Sequence, residues 1–176
     1  EFANVPVTVS GADIDGLIIG TTAGTNVSGR VRFGQGGTRP DAQVAVTAAS
    51  TEPSQSGTQI GRVDADGRFE IRGLGGAYLF RTNNLPAGWT LESVRLDGTD
   101  ITDTPYEFFG GGDVGGLEIV LTDKITQIDG SVTDSRGAAI REYAVVVFAS
   151  DSTRWGSRSR FVRAGRPDQD GRFQIK

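Results

Sequence analysis

The sequence predicts an all-β protein, and three observations support this prediction. Glycine is abundant, at 26 of 176 residues. No long stretch places apolar residues at the 3.6-residue period of a helix. Residues 64–72 (DADGRFEIR) and 168–176 (DQDGRFQIK) both set a D-x-D-G turn before alternating polar and apolar residues. Asp-Gly tolerates the positive φ of a tight turn, and the alternation predicts a strand with one apolar face.

The composition excludes several kinds of chemistry. The chain has no Cys and no His. Their absence excludes disulfides, Cys-His chemistry, Ser-His-Asp hydrolysis and the usual zinc sites. No apolar run approaches the roughly 20 residues that span a bilayer. The net charge of −4 gives no general attraction to nucleic acid. We therefore expect no enzyme activity, no cofactor, no nucleic-acid partner and no transmembrane segment.

Four segments recur in the same order at a nearly constant spacing. Residues 13–19 match 113–119, 27–31 match 128–132, and 44–46 match 145–147, at offsets of 100, 101 and 101. The D-x-D-G turns follow at an offset of 104. This pattern predicts a tandem repeat of about 100 residues, the size of an immunoglobulin-like sandwich.

The phase of the repeat predicts three segments. Residues 1–22 are interpreted as the closing strands of a preceding repeat, 23–123 as one complete repeat, and 124–176 as the opening strands of a following, truncated repeat. We expect the sequence to be part of a longer tandem array. An alternative is that strands within 1–22 complete a neighbouring chain's unfinished repeat by strand exchange, which would build a filament.

Within 23–123 the sequence predicts seven short strands of an antiparallel Greek-key β-sandwich. Each is an apolar or alternating run, bounded by Gly/Pro/Asn/Asp/Ser segments such as 34–40, 54–57, 85–88 and 97–100. The strands are 27–33, 42–49, 59–64, 68–72, 77–82, 89–96 and 116–122. The predicted core is Val31, Val46, Phe69, Ile71, Leu79, Trp89, Leu91, Val94, Leu117, Ile119 and Leu121.

The central segment resembles a carboxypeptidase regulatory-like domain. The similar stretches are 27–31 (VSGRV), 42–47 (AQVAVT), 64–74 (DADGRFEIRGL), 84–89 (NLPAGW), 94–102 (VRLDGTDIT) and 117–121 (LEIVL), in that order. The resemblance implies a transthyretin-like sandwich related to Cna-B domains. Such modules occur as accessory or tandem units of secreted and cell-surface bacterial proteins, and the module itself carries no catalytic residues.

Two candidate calcium sites lie at the D-x-D-G turns. Asp64 and Asp66, and equally Asp168 and Asp170, pair carboxylates as a calcium loop does. An EF-hand-like loop also needs an acidic or amide residue two positions earlier, and a Glu at its twelfth position. Arg62 and Arg166 stand at the first of these places. The sequence therefore favours a hairpin turn capped by an Asp side chain over a metal site.

A basic cluster with two aromatic residues lies in the last segment. It consists of Arg154, Trp155, Arg158, Arg160, Phe161, Arg163 and Arg166. Such a cluster is suited to an acidic glycan, a polynucleotide or an acidic protein face, but it also fits a solvated strand edge whose charges discourage aggregation. Residues up to Asp123 carry a net charge of −8 and the rest +4. The acidic preceding repeat is therefore one expected partner.

Two further sequence features have structural interpretations. Residues 110–115 (GGGDVG) match G-x-G-x-x-G formally, but a strand-like run follows where a dinucleotide site needs a helix. We expect a loop there. Trp89 opens an alternating strand, so we expect it in the core and not in a sugar-binding platform.

The leading functional interpretation is a non-enzymatic structural or interaction module of an exported bacterial protein, located in the periplasm, on the cell surface or outside the cell. It would act as a spacer, stalk or assembly unit whose partners are neighbouring repeats. The alternative is a carbohydrate-binding accessory module that uses Trp155 and Phe161, with Tyr106 and Tyr143 as further aromatic residues.

Overall fold

The computed structural model describes residues 3, 5, 7–34, 43–52, 57–156 and 158–176. The chain divides into two compact units, Glu1–Asp123 (unit 1) and Lys124–Lys176 (unit 2). The prediction of an all-β protein is confirmed. The described residues contain strands, turns and a single 3-10 turn at Ser152–Arg154, with no α-helix. None of them forms a helix long and apolar enough to cross a membrane.

The larger sheet of unit 1 contains both the first and the last strand of that unit. Its order is β4-β1-β9-β6-β7. The strands are β1 (Thr25–Phe33), β4 (Arg68–Leu74), β6 (Thr90–Leu96), β7 (Thr99–Asp100) and β9 (Asp113–Thr122). β1 pairs antiparallel with β4 and parallel with β9, the latter from Asn26↔Asp113 to Phe33↔Leu121. The two strands most distant in sequence are thus direct neighbours.

The smaller sheet of unit 1 has the order β3-β2-β5-β8, and all its pairs are antiparallel. The strands are β2 (Ala45–Ser50), β3 (Thr58–Arg62), β5 (Gly76–Asn83) and β8 (Tyr106–Phe108). β2 is buried along its whole length because β3 and β5 flank it. Its small residues, such as Ala48 and Ala49, fit this crowded central position.

One apolar core unites the two sheets of unit 1. Val27, Ile71 and Ile119 from the larger sheet and Val46 and Phe80 from the smaller one are fully or almost fully buried in it. At about 25 cal/mol per Å² of apolar area removed from water, such side chains contribute about 1.5–3 kcal/mol each. Every predicted core residue is buried except Trp89, which is half-buried at the margin against Phe33, with ring centroids 5.1 Å apart.

Unit 2 contains five strands in two small sheets. β10 (Ile128–Thr133) pairs with both β11 (Ala139–Ile140) and β14 (Arg172–Ile175). β12 (Val145–Phe148) and β13 (Val162–Gly165) form a separate two-stranded ribbon. Among the large apolar side chains described in unit 2, only that of Ile175 is buried.

The predicted strand positions need several corrections. The strand predicted at 42–49 is observed at Ala45–Ser50. Residue 42, the first of the predicted strand, and residues 35–41 before it lie outside the described part of the chain. β7 and β8 were not predicted. The strands predicted within 1–22 are absent from the described residues 7–21. A strand needs a hydrogen-bonded neighbour, and the strands of both sheets of unit 1 begin at Thr25 or later, so none of them includes residues 7–21.

Candidate functional site

Both D-x-D-G sequences form the same closed turn. In the first, Asp64 Oδ1 accepts hydrogen bonds from the backbone N–H groups of Asp66, at 2.9 Å, and of Arg68, at 2.7 Å. Gly67 donates to the Asp64 carbonyl and adopts a φ of 79°. In the second, Asp168 binds the N–H groups of Asp170 and Arg172, each at 2.9 Å. The first Asp of each sequence is therefore the capping residue of its turn.

A third copy of this turn, at 134–138, was not found by sequence analysis. Asp134 Oδ1 accepts from the N–H groups of Arg136 and Ala138, at 2.8 and 2.9 Å. Gly137 donates to the Asp134 carbonyl and has a φ of 83°. The sequence D-S-R-G-A keeps only the capping Asp and the Gly, so the signal was D-x-x-G and not D-x-D-G.

These geometries bear on the calcium hypothesis. The capping oxygens of Asp64 and Asp168 are directed at backbone N–H groups. Among the described residues no group of three or more Asp, Glu, His or Cys side chains is arranged to hold a metal ion. The arrangement supports a structural turn at each of these positions.

We expect Asp64→Ala to lower the free energy of unfolding of unit 1 by about 1–2 kcal/mol. The substitution removes the acceptor of two backbone hydrogen bonds, a loss comparable to that of a helix cap. Chemical denaturation monitored by fluorescence would measure the change. Asp66→Ala is the matched control because Asp66 lies in the same exposed turn and its N–H, not its carboxylate, bonds Asp64. Equal losses in both variants would contradict the capping role.

The structure brings part of the basic cluster together around Phe161. The guanidinium carbon of Arg154 lies 4.8 Å from the centre of the Phe161 ring, and that of Arg160 lies 5.3 Å from it. Both distances are within the range of cation–π contacts. The Phe161 N–H donates to Ser159 Oγ, and the Ser159 hydroxyl in turn donates to the Arg154 carbonyl. This loop is therefore ordered by its own polar contacts.

Trp155 is held beside the ribbon with part of its ring exposed. Its indole N–H donates to the Ala149 carbonyl at 2.7 Å. Its ring packs edge to face against Phe148, at 5.3 Å and 87°. About half of the Trp155 side chain, 49%, remains accessible. The ring orientation is thus fixed while one apolar surface stays open.

Asp151 organises the turn that carries Arg154. Its carboxylate accepts from the Thr153 hydroxyl at 2.6 Å and from the Thr153 N–H at 3.0 Å. These bonds to Thr153, with a smaller contribution from Arg154, lower the pKa of Asp151 below its ordinary value of 3.8. The turn therefore keeps its carboxylate cap throughout the neutral range, and loses it only as the pH falls through that lowered pKa.

The remaining cluster residues lie on β13, in a turn and beside a surface depression. Arg163 lies on β13 opposite Val147. Arg158 occupies an exposed turn with a φ of 65°. Arg166 lines a depression of about 710 Å³ whose walls also include Asp168, Arg172 and Phe173. The cluster predicted from sequence is therefore an extended set of charges with one ordered centre at Phe161.

The outer face of the ribbon is apolar and exposed. Val146, Phe148, Val162 and Ala164 occupy paired positions on β12 and β13 that share one face. Val146, Phe148 and Val162 are 53%, 56% and 37% exposed, so this ribbon presents an apolar surface to solvent.

The other aromatic residues that were considered for sugar binding pack inside their units. Tyr143 donates its hydroxyl to the Gly171 carbonyl at 2.7 Å and lies edge to face against Phe173. Tyr106 is half-buried, with its ring 4.9 Å from that of Phe108. Only Trp155 keeps an aromatic ring both oriented and half exposed within this group.

The glycine-rich segment 110–115 is a loop only at 110–112, because Asp113, Val114 and Gly115 already belong to β9, so the loop prediction is wrong for the second half of the segment. The side chain of Asn26, in the Asn26-Val27-Ser28 segment at the start of β1, has a structural role. The Asn26 amide donates to Asp113 Oδ1 at 3.0 Å and accepts from the Gly73 N–H at 3.3 Å. It links β1, β4 and β9 where these three strands begin or end.

The described residues form an all-β protein of two units. Comparisons with known proteins do not assign it to a family. No protein-family model matches it, and no curated protein does. Among solved structures it is similar to one described as the Bacillus anthracis TIE protein, with 14% sequence identity and a TM-score of 0.34. The match covers 88% of this chain and 26% of that one.

Proposed function

We propose that the chain is a non-catalytic structural module, built of successive β-sandwich repeats of the carboxypeptidase regulatory-like type, in an exported protein. The module acts as a spacer or stalk that transmits tension between its two ends. The partners are neighbouring repeats. Three features support this proposal: matched strand registers in the two units, a core shared by two sheets, and the parallel pairing of β1 with β9.

The first pair of strands has the same register in both units. In unit 1, Val27 pairs with Ile71 and Gly29 with Phe69. In unit 2, Ile128 pairs with Ile175 and Gly130 with Phe173. At each glycine, an added Cβ would lie within 3 Å of the partner Phe ring. In both units, a glycine at the same position of the strand pair leaves room for an aromatic ring. The recurrence of this specific arrangement supports a repeat.

The second pair of strands supports the repeat after a small realignment. Val46 pairs with Gly61, and Val145 pairs with Gly165. Each glycine precedes its D-x-D-G turn by three residues. Val145 is therefore the counterpart of Val46, and not of Val44 as sequence matching had aligned them. The slip of two residues leaves each side chain on the same face of its strand, because side chains alternate with period two.

The pairing of β1 with β9 is the observation that carries the spacer function. Because the strands are parallel, the chain enters at the beginning of β1 and leaves beyond the far end of β9. Ten residues of β9 span roughly 33 Å at 3.3 Å per residue. Tension applied at these ends loads the β1–β9 hydrogen bonds along the strands, in shear. The bonds must then break together and not one after another.

We expect unit 1 to resist shear much more strongly than peeling in single-molecule pulling. The chain has no Cys, so attachment points can be introduced at will. Ala23→Cys with Asp123→Cys loads the β1–β9 ladder in shear, whereas Ala23→Cys with Gly112→Cys pulls both strands from one end. The first pair should unfold at several-fold higher force. Unfolding at equal force would contradict the tension-bearing role, since the two proteins differ only in pulling direction.

A second candidate function is carbohydrate binding, and the orientation of Trp155 supports it. Its half-exposed ring lies in the same loop as the arginines around Phe161, a combination suited to one acidic sugar residue. We expect binding to acidic glycans on an array to disappear in Trp155→Ala. Phe109→Ala, which removes an exposed aromatic side chain in unit 1, should leave binding unchanged. No binding by the unmodified protein would reject this candidate and leave the spacer proposal intact.

A further inference from the structure

The outer face of the larger sheet holds most of the basic residues of unit 1. Residues up to Asp123 include eight arginines and no lysine, against 16 acidic residues. Five of the eight arginines are exposed on strands of this sheet, namely Arg30, Arg32, Arg68, Arg72 and Arg95. Positive charge is therefore concentrated on one face of a unit that is acidic as a whole.

A surface depression of about 450 Å³ lies on this face, along β4, β1 and β9. Its lining includes the charged residues Arg30, Arg32, Arg68 and Glu118 and the small residues Ser28 and Gly116. The small residues leave space between the long arginine side chains. Three arginines and one glutamate give the depression a net positive charge.

Within the depression, Arg30 and Arg68 lie directly opposite each other in the β1–β4 ladder. Side chains at opposed positions share a face, with Cβ atoms about 4.5–5.5 Å apart, and like charges there are destabilising. Glu118 lies opposite Arg30 on β9, but its carboxylate pairs with Arg32. Among the residues that the structure describes, neither Arg30 nor Arg68 forms a salt bridge. Two adjacent positive charges are therefore left to be neutralised from solution.

The corresponding strand pair of unit 2 shows that such a ladder does not require two opposed arginines. β10 and β14 have the same register as β1 and β4, but Ser131 stands opposite Arg172. An uncharged residue is thus compatible with this position. The like-charge pair of unit 1 costs stability without being needed for the pairing of its strands, and a bound anion would convert the repulsion into attraction.

We propose that this depression binds a doubly charged tetrahedral oxyanion, a phosphate or sulfate group, between the guanidinium groups of Arg30 and Arg68. A guanidinium group can donate two parallel hydrogen bonds to such an anion, and two guanidinium groups match its two negative charges. The described outer-face residues of β1, β4 and β9 include no aromatic ring. Recognition therefore depends on the charge and shape of the anionic group, and not on stacking against a base or a sugar ring.

Titration of the isotope-labelled protein with inorganic phosphate at low ionic strength, followed by NMR, tests the proposed site. We expect saturable shifts centred on Arg30 and Arg68. Arg30→Ser should weaken binding by about tenfold or more, because it removes charge-assisted hydrogen bonds. Its melting temperature without phosphate should not fall, since the like-charge repulsion is relieved.

Arg62→Ser is the matched control for this variant. Arg62 is exposed on β3, in the other sheet of unit 1, so the same change of charge there should leave binding unchanged. Absence of saturable binding by the unmodified protein would overturn the proposal, and so would equal weakening in the two variants. The tension-bearing role of unit 1 is independent of either result.

A gain of binding is expected for Glu118→Gln. The substitution removes the negative charge opposite Arg30 and releases Arg32 from its salt bridge, so phosphate should bind several-fold more tightly. A damaged fold cannot produce this result. Unchanged or weaker binding by Glu118→Gln would contradict the proposed position of the anion.

Two esters of the same shape test the requirement for two charges. Methyl phosphate carries close to two negative charges at neutral pH and methyl sulfate carries one. Methyl phosphate should bind more tightly, and equal affinities would overturn the proposal. Methyl phosphate that binds at least as tightly as inorganic phosphate would identify the ligand as a group carried on a larger molecule, whereas weaker binding would identify it as the free ion.

Discussion

Replacing Gly29 with alanine should destabilise unit 1 more than any other single methyl addition in its larger sheet. A Cβ at this position would lie 2.0 Å from the Leu117 carbonyl oxygen and 2.8 Å from the tip of the Phe69 ring. The ring can shift, but the carbonyl belongs to the β1–β9 ladder. We expect a loss of about 3 kcal/mol or more, at the upper end for overpacking, which lowers the melting temperature by roughly 10–20 °C.

The change in unit 1 would be measured by thermal unfolding followed by circular dichroism. Gly112→Ala is the matched control, since a Cβ there meets no atom within 4 Å and its φ is not in the left-handed region. The control should unfold close to the unmodified protein. A Gly29→Ala protein as stable as Gly112→Ala would show that β1 and β9 are not packed at the described distance.

Phe80→Ala should cost about 3–5 kcal/mol, the range for truncating a large core aromatic side chain. Phe80 is 0% exposed and contacts Phe108 edge to face, with ring centroids 6.1 Å apart. Its removal leaves a cavity between the two sheets, in which no polar group compensates for the lost contacts. Chemical denaturation should show the loss as a lower midpoint with an unchanged slope.

The matched control for this substitution is Phe109→Ala. Phe109 is 79% exposed, and its truncation should change stability by no more than about 0.5 kcal/mol. The same substitution is thus expected to cause a large loss of stability at Phe80 and almost none at Phe109. If both variants lost equal stability, the description of Phe80 as part of a single core shared by the two sheets would be wrong.

The parts of the fold that depend on local chemistry could be predicted from sequence. Asp64 and Gly67 define their turn within four residues, and the alternation of Phe69 and Ile71 defines the buried face of β4. The turn at Asp134 was missed because it retains only two of the three specified residues of the D-x-D-G pattern. β7 and β8 are too short to show any alternation, and their positions depend on β6 and β5, with which they pair.

For the candidate site, the sequence could predict which types of residue are present but not which of them are in contact. Five arginines near two aromatic residues in the sequence indicate a basic, aromatic surface, and that this surface binds a partner stays a prediction. Which of them meet depends on the loop between β12 and β13, whose shape is set by Asp151, Ser159 and the carbonyl of Ala149. None of these three residues belongs to the basic-aromatic pattern. The sequence therefore could not show that Arg154 and Arg160 meet at Phe161 whereas Arg163 and Arg166 lie elsewhere.

The position of β9 between β1 and β6 also affects how the unit can fold. Asn26 and Asp113, which are hydrogen-bonded across the ladder, are 87 residues apart in the chain. High contact order of this kind slows folding, because a long loop must close before the contacts form. During synthesis from the N-terminus, β1 must therefore wait for nearly the whole of unit 1 to emerge before it can pair with β9. Until then its edge is open, and a shielding factor or slow release of the chain would be of direct benefit.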